Sequence, residues 1–312
     1  MRNKSTKNTF TQNQAYSDSS EKFLLSFFDK PQSQKQKEVW DILNNNPPWP
    51  ILYHLHLQRE FILSWYPFKK DGSLLEVGAG CGSITGMLCD KVKEVLANEL
   101  SEERAEVIKK RWQNKKNLKV IAGNFIEMNI KKSFDYITLI GVLEYQGRYT
   151  KINKKGLDYD ENSPYIEFLE KIKKYLKKDG TLLIAIENKL GLKYLAGGKE
   201  DHYGNLFESI ENYPSYSGIK TFTKEEITEI LNQAGFNKIN FYYPFPDYKL
   251  PHTIISENSI DRMNLSLSSY LPINDLSNSR EFLFNETIFG HLLKKEKILE
   301  KFSNSFLIEA KL

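Results

Sequence analysis

The chain has 312 residues, 40% hydrophobic and 13% aromatic, which is enough for a sizeable core and too apolar for a disordered chain. Its 44 basic and 40 acidic side chains leave a formal charge of +4, a balance that carries no general nucleic-acid footprint. The two cysteines, Cys81 and Cys89, lie in one short stretch, so neither a disulfide framework nor a metal-ligand spacing is expected, and no metal is assigned.

Residues 1–20 are polar and are expected to be flexible, without the apolar centre of a signal peptide. No apolar run reaches the roughly 18 residues that span a bilayer, so a cytoplasmic chain is expected. A helical segment should occupy 21–72, with Phe23, Leu24, Phe27 and Phe28 on one face and a second helix running from Trp49 to about Tyr66. From Ser73 strands and helices alternate. Strands are expected at Ser73 to Val77, Glu94 to Asn98, Leu118 to Ala122, Phe134 to Gly141, Thr181 to Ile186 and Ile239 to Tyr243. The intervening helices run from Ser83 to Asp90, after the cap Ser101, from Ser163-Pro164, and after a capping box formed by Thr223 and Glu226. This alternation predicts an α/β fold, a doubly wound and mostly parallel sheet over 73–256. Residues 188–220 interrupt the pattern as an insertion beside the acceptor. Residues 257–312 form an extension packed on the catalytic domain, with a helix from about Arg280 to Phe302 and a strand from Ser305 to Ile308.

The most informative stretch is Leu74-Leu75-Glu76-Val77-Gly78-Ala79-Gly80-Cys81-Gly82, a strand running into a glycine-rich turn and then a helix. Glycine tolerates positive φ and lets a ligand lie against bare backbone, and the following helix start offers free N–H groups. A dinucleotide fingerprint would need its last glycine where Ser83 stands. Glu99 ends the second strand, where a carboxylate can accept from both ribose hydroxyls of an adenosine. The basic run Lys109-Lys110-Arg111 reads as the solvated face of a helix, and the aromatic cluster Phe241 to Phe245 as a packed sheet edge.

Over residues 73–245 the chain resembles class I S-adenosylmethionine-dependent methyltransferases, whose Rossmann-like fold has a seven-stranded sheet. The resemblance implies that Glu76, Gly78, Gly80 and Gly82 cradle the methionine and ribose of S-adenosylmethionine and that Glu99 holds the ribose. It places Asn124, where the family usually has an acid, at the adenine amine, with Phe125 against the ring. Gly141 and Val142 begin a strand-end motif, Gly141 to Tyr145, beside the transferable methyl, and Asp135 is structural. Ribosomal adenine dimethyltransferases share the loop and the acid, but their Asn-x-Pro-Tyr segment is absent from 141–145, so nucleic acid is not the expected partner. Trp49-Pro50, Glu187 to Tyr194, Glu200-Asp201-His202 and Phe245 to Pro251 are similar to a bacterial group associated with surface-polysaccharide synthesis. That implies a small-molecule or sugar-linked acceptor and, for a hydroxyl acceptor, a proton acceptor. His202 with Asp201 behind it fills that role, and Tyr53 belongs to an N-terminal lid over the cofactor. The alternatives are an RNA methyltransferase, a nicotinamide enzyme and a non-catalytic adenosine-fold scaffold.

Overall fold

Apolar runs bounded by turn residues become strands β1 (Ser73–Val77), β2 (Glu94–Glu99), β3 (Leu118–Ala122), β4 (Phe134–Ile140), β5 (Leu176–Glu187), β6 (Lys238–Phe245), β7 (Thr253–Ser256) and β8 (Ser305–Lys311). The computed structural model describes residues 20–149, 162–260, 262 and 280–312. Of residues 1–20, expected to be flexible, residues 1–19 lie outside the described residues and Ser20 begins a helix.

Among the described residues the strands form one eight-stranded sheet in the order β3-β2-β1-β4-β5-β8-β6-β7. β1 to β5 pair in parallel; β8 runs antiparallel to both β5 and β6, and β7 antiparallel to β6. The strand order reverses between β1 and β4, which opens a crevice at their carboxyl ends. The central strands are buried on both faces, and the core joins Leu75, Ile137, Leu182 and Ile184 to the helices Ser163–Lys174 and Lys224–Gln233.

Four expectations change. The sheet has eight strands, not seven, because the short Thr253–Ser256 segment turns back and pairs with the edge of β6. Such a four-residue strand has little periodicity of its own, and pairing creates it. The helix expected from Trp49 to Tyr66 stops at Leu55: His56 is extended, and its Nδ1 accepts from the N–H of Gln58, starting a separate 3-10 turn. The helix expected from Arg280 begins at Glu286, where the Asn285 side chain caps it, and ends at Lys295, before Lys297 takes a left-handed conformation. The closing strand extends to Lys311 and lies inside the sheet between β5 and β6.

Candidate active site

The turn after β1 is made by backbone. Gly78, Gly80 and Gly82 have φ of 71°, 57° and 74°, a region where side chains are strained. A methyl group on Gly78 would stand 2.5 Å from Val142 Cγ2, so the turn after β1 and the strand end after β4 touch only because this residue is bare. Gly82 is pressed by the half-buried Trp112, whose indole N–H donates to the Gly82 carbonyl at 2.7 Å. The helix Thr85–Lys91 then follows, with Thr85 to Cys89 buried.

Two acids sit beneath this turn. Glu99 Oε2 accepts from the N–H of Gly80 at 2.7 Å, and Oε1 from the N–H of Ser101 at 3.0 Å. Each oxygen keeps a lone pair for a ligand hydroxyl. Burial raises the Glu99 carboxyl above its ordinary range, against the N–H of Ser101 and the charge of Arg104. Glu76 accepts from the Thr85 hydroxyl at 2.7 Å, and burial pushes its pKa up to about 8. Asn124 faces the same cleft, but its carbonyl also accepts from the Ile126 N–H and so caps the turn that carries Phe125. Phe125 is buried edge-on against Phe168. Asp135 binds Ser73 and Lys177, away from the cleft.

The N-terminal segment closes over the loop. His54 Nδ1 lies 3.3 Å from the Ser83 hydroxyl, and the His54 carbonyl accepts from Arg111 at 2.7 Å. Tyr53 lines the cleft and its hydroxyl accepts from Arg59, which also donates to the carbonyl of Lys249 at 2.8 Å. Arg59 therefore ties the lid to the loop after β6.

The cleft, about 1210 Å³, continues past Gly141 into a charged chamber. Glu144 follows β4, Glu187 ends β5, and Glu200, Asp201 and His202 come from the insertion. The carboxylate that holds His202 is Glu200, not Asp201. Glu200 Oε1 lies 2.9 Å from His202 Nδ1, while its Oε2 accepts the backbone N–H groups of His202 and Tyr203. Asp201 turns the other way, to Lys193 and Lys249 at 2.6 Å each and to the Tyr194 hydroxyl at 2.5 Å. Neighbouring residues on a tight turn point apart, and a sequence pair does not reveal which one faces the ring.

The electrostatics follow from this placement. Burial alone would lower the His202 pKa, but the Glu200 hydrogen bond and the charges of Glu187, Glu200 and Glu144 push it up to about 9. Burial and the charge on Glu187 push Glu144 up to about 8. Burial would raise Glu187 too, yet Lys249, 2.5 Å from its Oε1, lowers it below the ordinary range. At neutral pH the chamber therefore holds an ionised Glu187 beside a protonated imidazole. Glu144, Glu187, Glu200, Lys193 and Lys249 were given no individual role from the sequence. The signal available was position, because Glu144 and Glu187 follow the carboxyl ends of adjacent parallel strands, where ligands bind in such sheets.

The family described as a methyltransferase domain matches residues 54–240. Ribosomal RNA small subunit methyltransferase A from Mycoplasma capricolum is 23% identical over 239 residues, 76% of this chain and 74% of that protein. An uncharacterized methyltransferase from Staphylococcus carnosus is 27% identical over 172 residues, 54% of this chain and 71% of that protein. Among solved structures, the CcbJ methyltransferase from Streptomyces caelestis superposes with a TM-score of 0.47 and 15% identity, covering 87% of this chain and 94% of that one. A methyltransferase from Clostridium acetobutylicum gives 0.45 and 14%, covering 90% and 99%.

Proposed function

From the premise that this chain belongs to the methyltransferase-domain family and is an S-adenosylmethionine-dependent methyltransferase, we propose that it O-methylates a small polyhydroxyl acceptor, a sugar or sugar-linked molecule of surface-polysaccharide synthesis. The observation that carries this reading is the chamber beyond Gly141. Its Glu144 and Glu187 side chains are each 1% exposed, and each leaves one oxygen, Oε2, without a hydrogen-bond partner. Buried carboxylate oxygens of this kind require donors, and the hydroxyls of a sugar supply them.

The donor occupies the glycine loop, with Glu99 on the ribose, Glu76 toward the methionine end, Asn124 and Phe125 at the adenine, and Tyr53, Gly141 and Val142 around the sulfonium. The acceptor oxygen attacks the methyl carbon, the C–S bond breaks with its electron pair going to sulfur, and S-adenosylhomocysteine is left. The hydroxyl proton passes into the Glu144–Glu187–His202 cluster through Glu187, its ionised member. Alignment of the two reactants supplies most of the rate, and proton acceptance contributes roughly 10²–10⁴-fold. In this reading Asp201 holds Lys193 and Lys249 in place and does not touch the imidazole.

The experiment is transfer of labelled methyl from S-adenosylmethionine to a panel of nucleotide sugars and cell-wall glycans, with wild type and His202→Ala. Incorporation into a sugar that falls at least tenfold in the variant supports the proposal; incorporation unchanged in His202→Ala removes that residue from proton transfer. A second reading, RNA methylation, is favoured by the names of several relatives, ribosomal RNA small subunit methyltransferase A. Against it, residues 141–145 lack the Asn-x-Pro-Tyr segment with which ribosomal adenine dimethyltransferases grip a base amine. Label recovered in RNA and lost on nuclease treatment would replace the sugar reading.

A further inference from the structure

We infer that Glu144, Glu187 and His202 form a binding site for a divalent cation, with Glu200 as the residue that orients the imidazole toward it. One ligand atom from each of the three lies within 4.8 Å of the others. The proposal rests on the reading of the chamber as the acceptor's place, and it names what that chamber holds besides the acceptor.

Four observations converge. First, the imidazole is wired as a metal ligand would be. Its Nδ1 lies 2.9 Å from Glu200 Oε1, so the proton held there keeps Nε2 as the nitrogen that a cation meets once it displaces the Nε2 proton. A carboxylate behind a histidine is the arrangement that fixes the tautomer of metal-bound imidazoles. Second, Nε2 faces Glu144 Oε1 at 3.9 Å, too far for a hydrogen bond and close to the span across a small cation. Metal bonds of about 2.0–2.2 Å place ligand atoms about 3–4 Å apart, so modest side-chain rotations close the triangle. Third, Oε2 of Glu144 and Oε2 of Glu187 are buried with no hydrogen-bond partner. Fourth, the chamber's lysines leave Glu144 and Oε2 of Glu187 uncompensated. Lys193 bridges Asp201 and Asp247, Lys249 bridges Asp201 and Glu187 through Oε1, and among the described residues Glu144 has no salt bridge except with His202.

Two carboxylates and one imidazole make a mixed oxygen–nitrogen set that suits Mn²⁺, Fe²⁺, Co²⁺ or Zn²⁺ and leaves coordination positions open. With the three side chains holding the ion, a hydroxyl seated on it has a lowered pKa, and its proton leaves to solvent instead of to the cluster. No sequence spacing announces the site, because its ligands stand 43 and 15 residues apart in the chain, at Glu144, Glu187 and His202.

The test uses the full chain after chelator treatment and dialysis, titrated with Mn²⁺ alone and read by the six-line electron paramagnetic resonance signal of the free ion. The expected result is quenching at one Mn²⁺ per chain. Glu144→Gln and Glu187→Gln should each weaken binding at least a hundredfold. Glu200→Gln should weaken it by about 10–100-fold, the range for a residue behind a ligand. With Co²⁺ as probe, its visible absorption bands should shift in Glu200→Gln, a signature that a merely structural role would not move. Calorimetric binding of S-adenosylhomocysteine at wild-type affinity shows that each variant is folded. A free-ion signal unchanged in wild type at millimolar Mn²⁺, or stoichiometric binding that survives in the Glu144→Gln/Glu187→Gln double variant, overturns the site. No acceptor enters the titration, so the two readings fail separately. One Mn²⁺ bound with no sugar methylated sinks the acceptor class and leaves the site standing. Sugar methylation undiminished in metal-free enzyme sinks the metal's role in the chemistry and leaves the acceptor class standing.

Discussion

The two ends of the cleft are built in opposite ways. The donor end is made by consecutive residues: β1, the turn through Gly78, Gly80 and Gly82, and the helix that follows. Glu99 reaches it from the adjacent strand, and Asn124, Phe125, Gly141 and Val142 border it from just after β3 and β4. The acceptor end is assembled from Glu144 after β4, Glu187 at the end of β5, the insertion with Glu200 and His202, and Asp247 to Lys249 after β6. Asn304, just before β8, supports it by bonding the N–H of Lys193 and the carbonyl of Pro246. The donor end is local and mostly backbone; the acceptor end is long-range and mostly charge. A scaffold that offers the donor a fixed cradle can therefore change its acceptor by changing loops.

That contrast makes the two ends separable by mutation. The largest effect should come from Glu187→Gln. Methyl transfer falls by roughly 10²–10⁴-fold while affinity for S-adenosylmethionine stays within about twofold, measured by steady-state kinetics and calorimetry. A parallel loss of donor affinity would show that the ends are coupled. Gly78→Ala should act on the donor end instead. The left-handed backbone costs about 1–2 kcal/mol, and the new methyl must displace Val142, so donor affinity falls at least about tenfold. Glu99→Gln removes a charged acceptor and should weaken S-adenosylhomocysteine about tenfold in the same calorimeter, with the apo melting temperature little changed.

The smallest effect concerns pH. The Glu76 carboxyl has its pKa raised to about 8 from an ordinary 4.5, by burial first. A raised folded-state pKa means that the stabilising, protonated form is present below pH 4.5 and is lost as the pH rises through about 8. Wild type should therefore lose melting temperature relative to Glu76→Gln between those limits, by about a few degrees, in ligand-free thermal scans. A difference that stays flat with pH would show that Glu76 is already ionised at the donor end.

The legibility of the two ends follows the same division. The glycine turn, Glu99, and β1 and β3 with their observed limits could be read from the chain, because each depends on neighbours within a few residues. The Ser101 cap and the Thr223–Glu226 capping box are equally local, and both are present. The Asp201–His202 pairing could not be decided that way. Which acid meets the imidazole depends on how the turn at 200–204 is held, with Lys193 and Lys249 drawing Asp201 aside. The break at His56 was hidden for a related reason, since Arg59 is pulled toward the carbonyls of Tyr248 and Lys249, some 190 residues away.

By itself the sequence determined the alternating parallel sheet, the donor loop and the acid beneath it. Their causes are short-range: glycine's freedom at positive φ, helix caps, and apolar runs that must be buried. Only the tertiary structure decided that the tail strand enters the sheet, that β7 adds an eighth strand, and that Glu144, Glu187, Glu200 and His202 converge. Charges from distant segments acquire their roles only when folding removes water from between them, and no local pattern encodes that meeting.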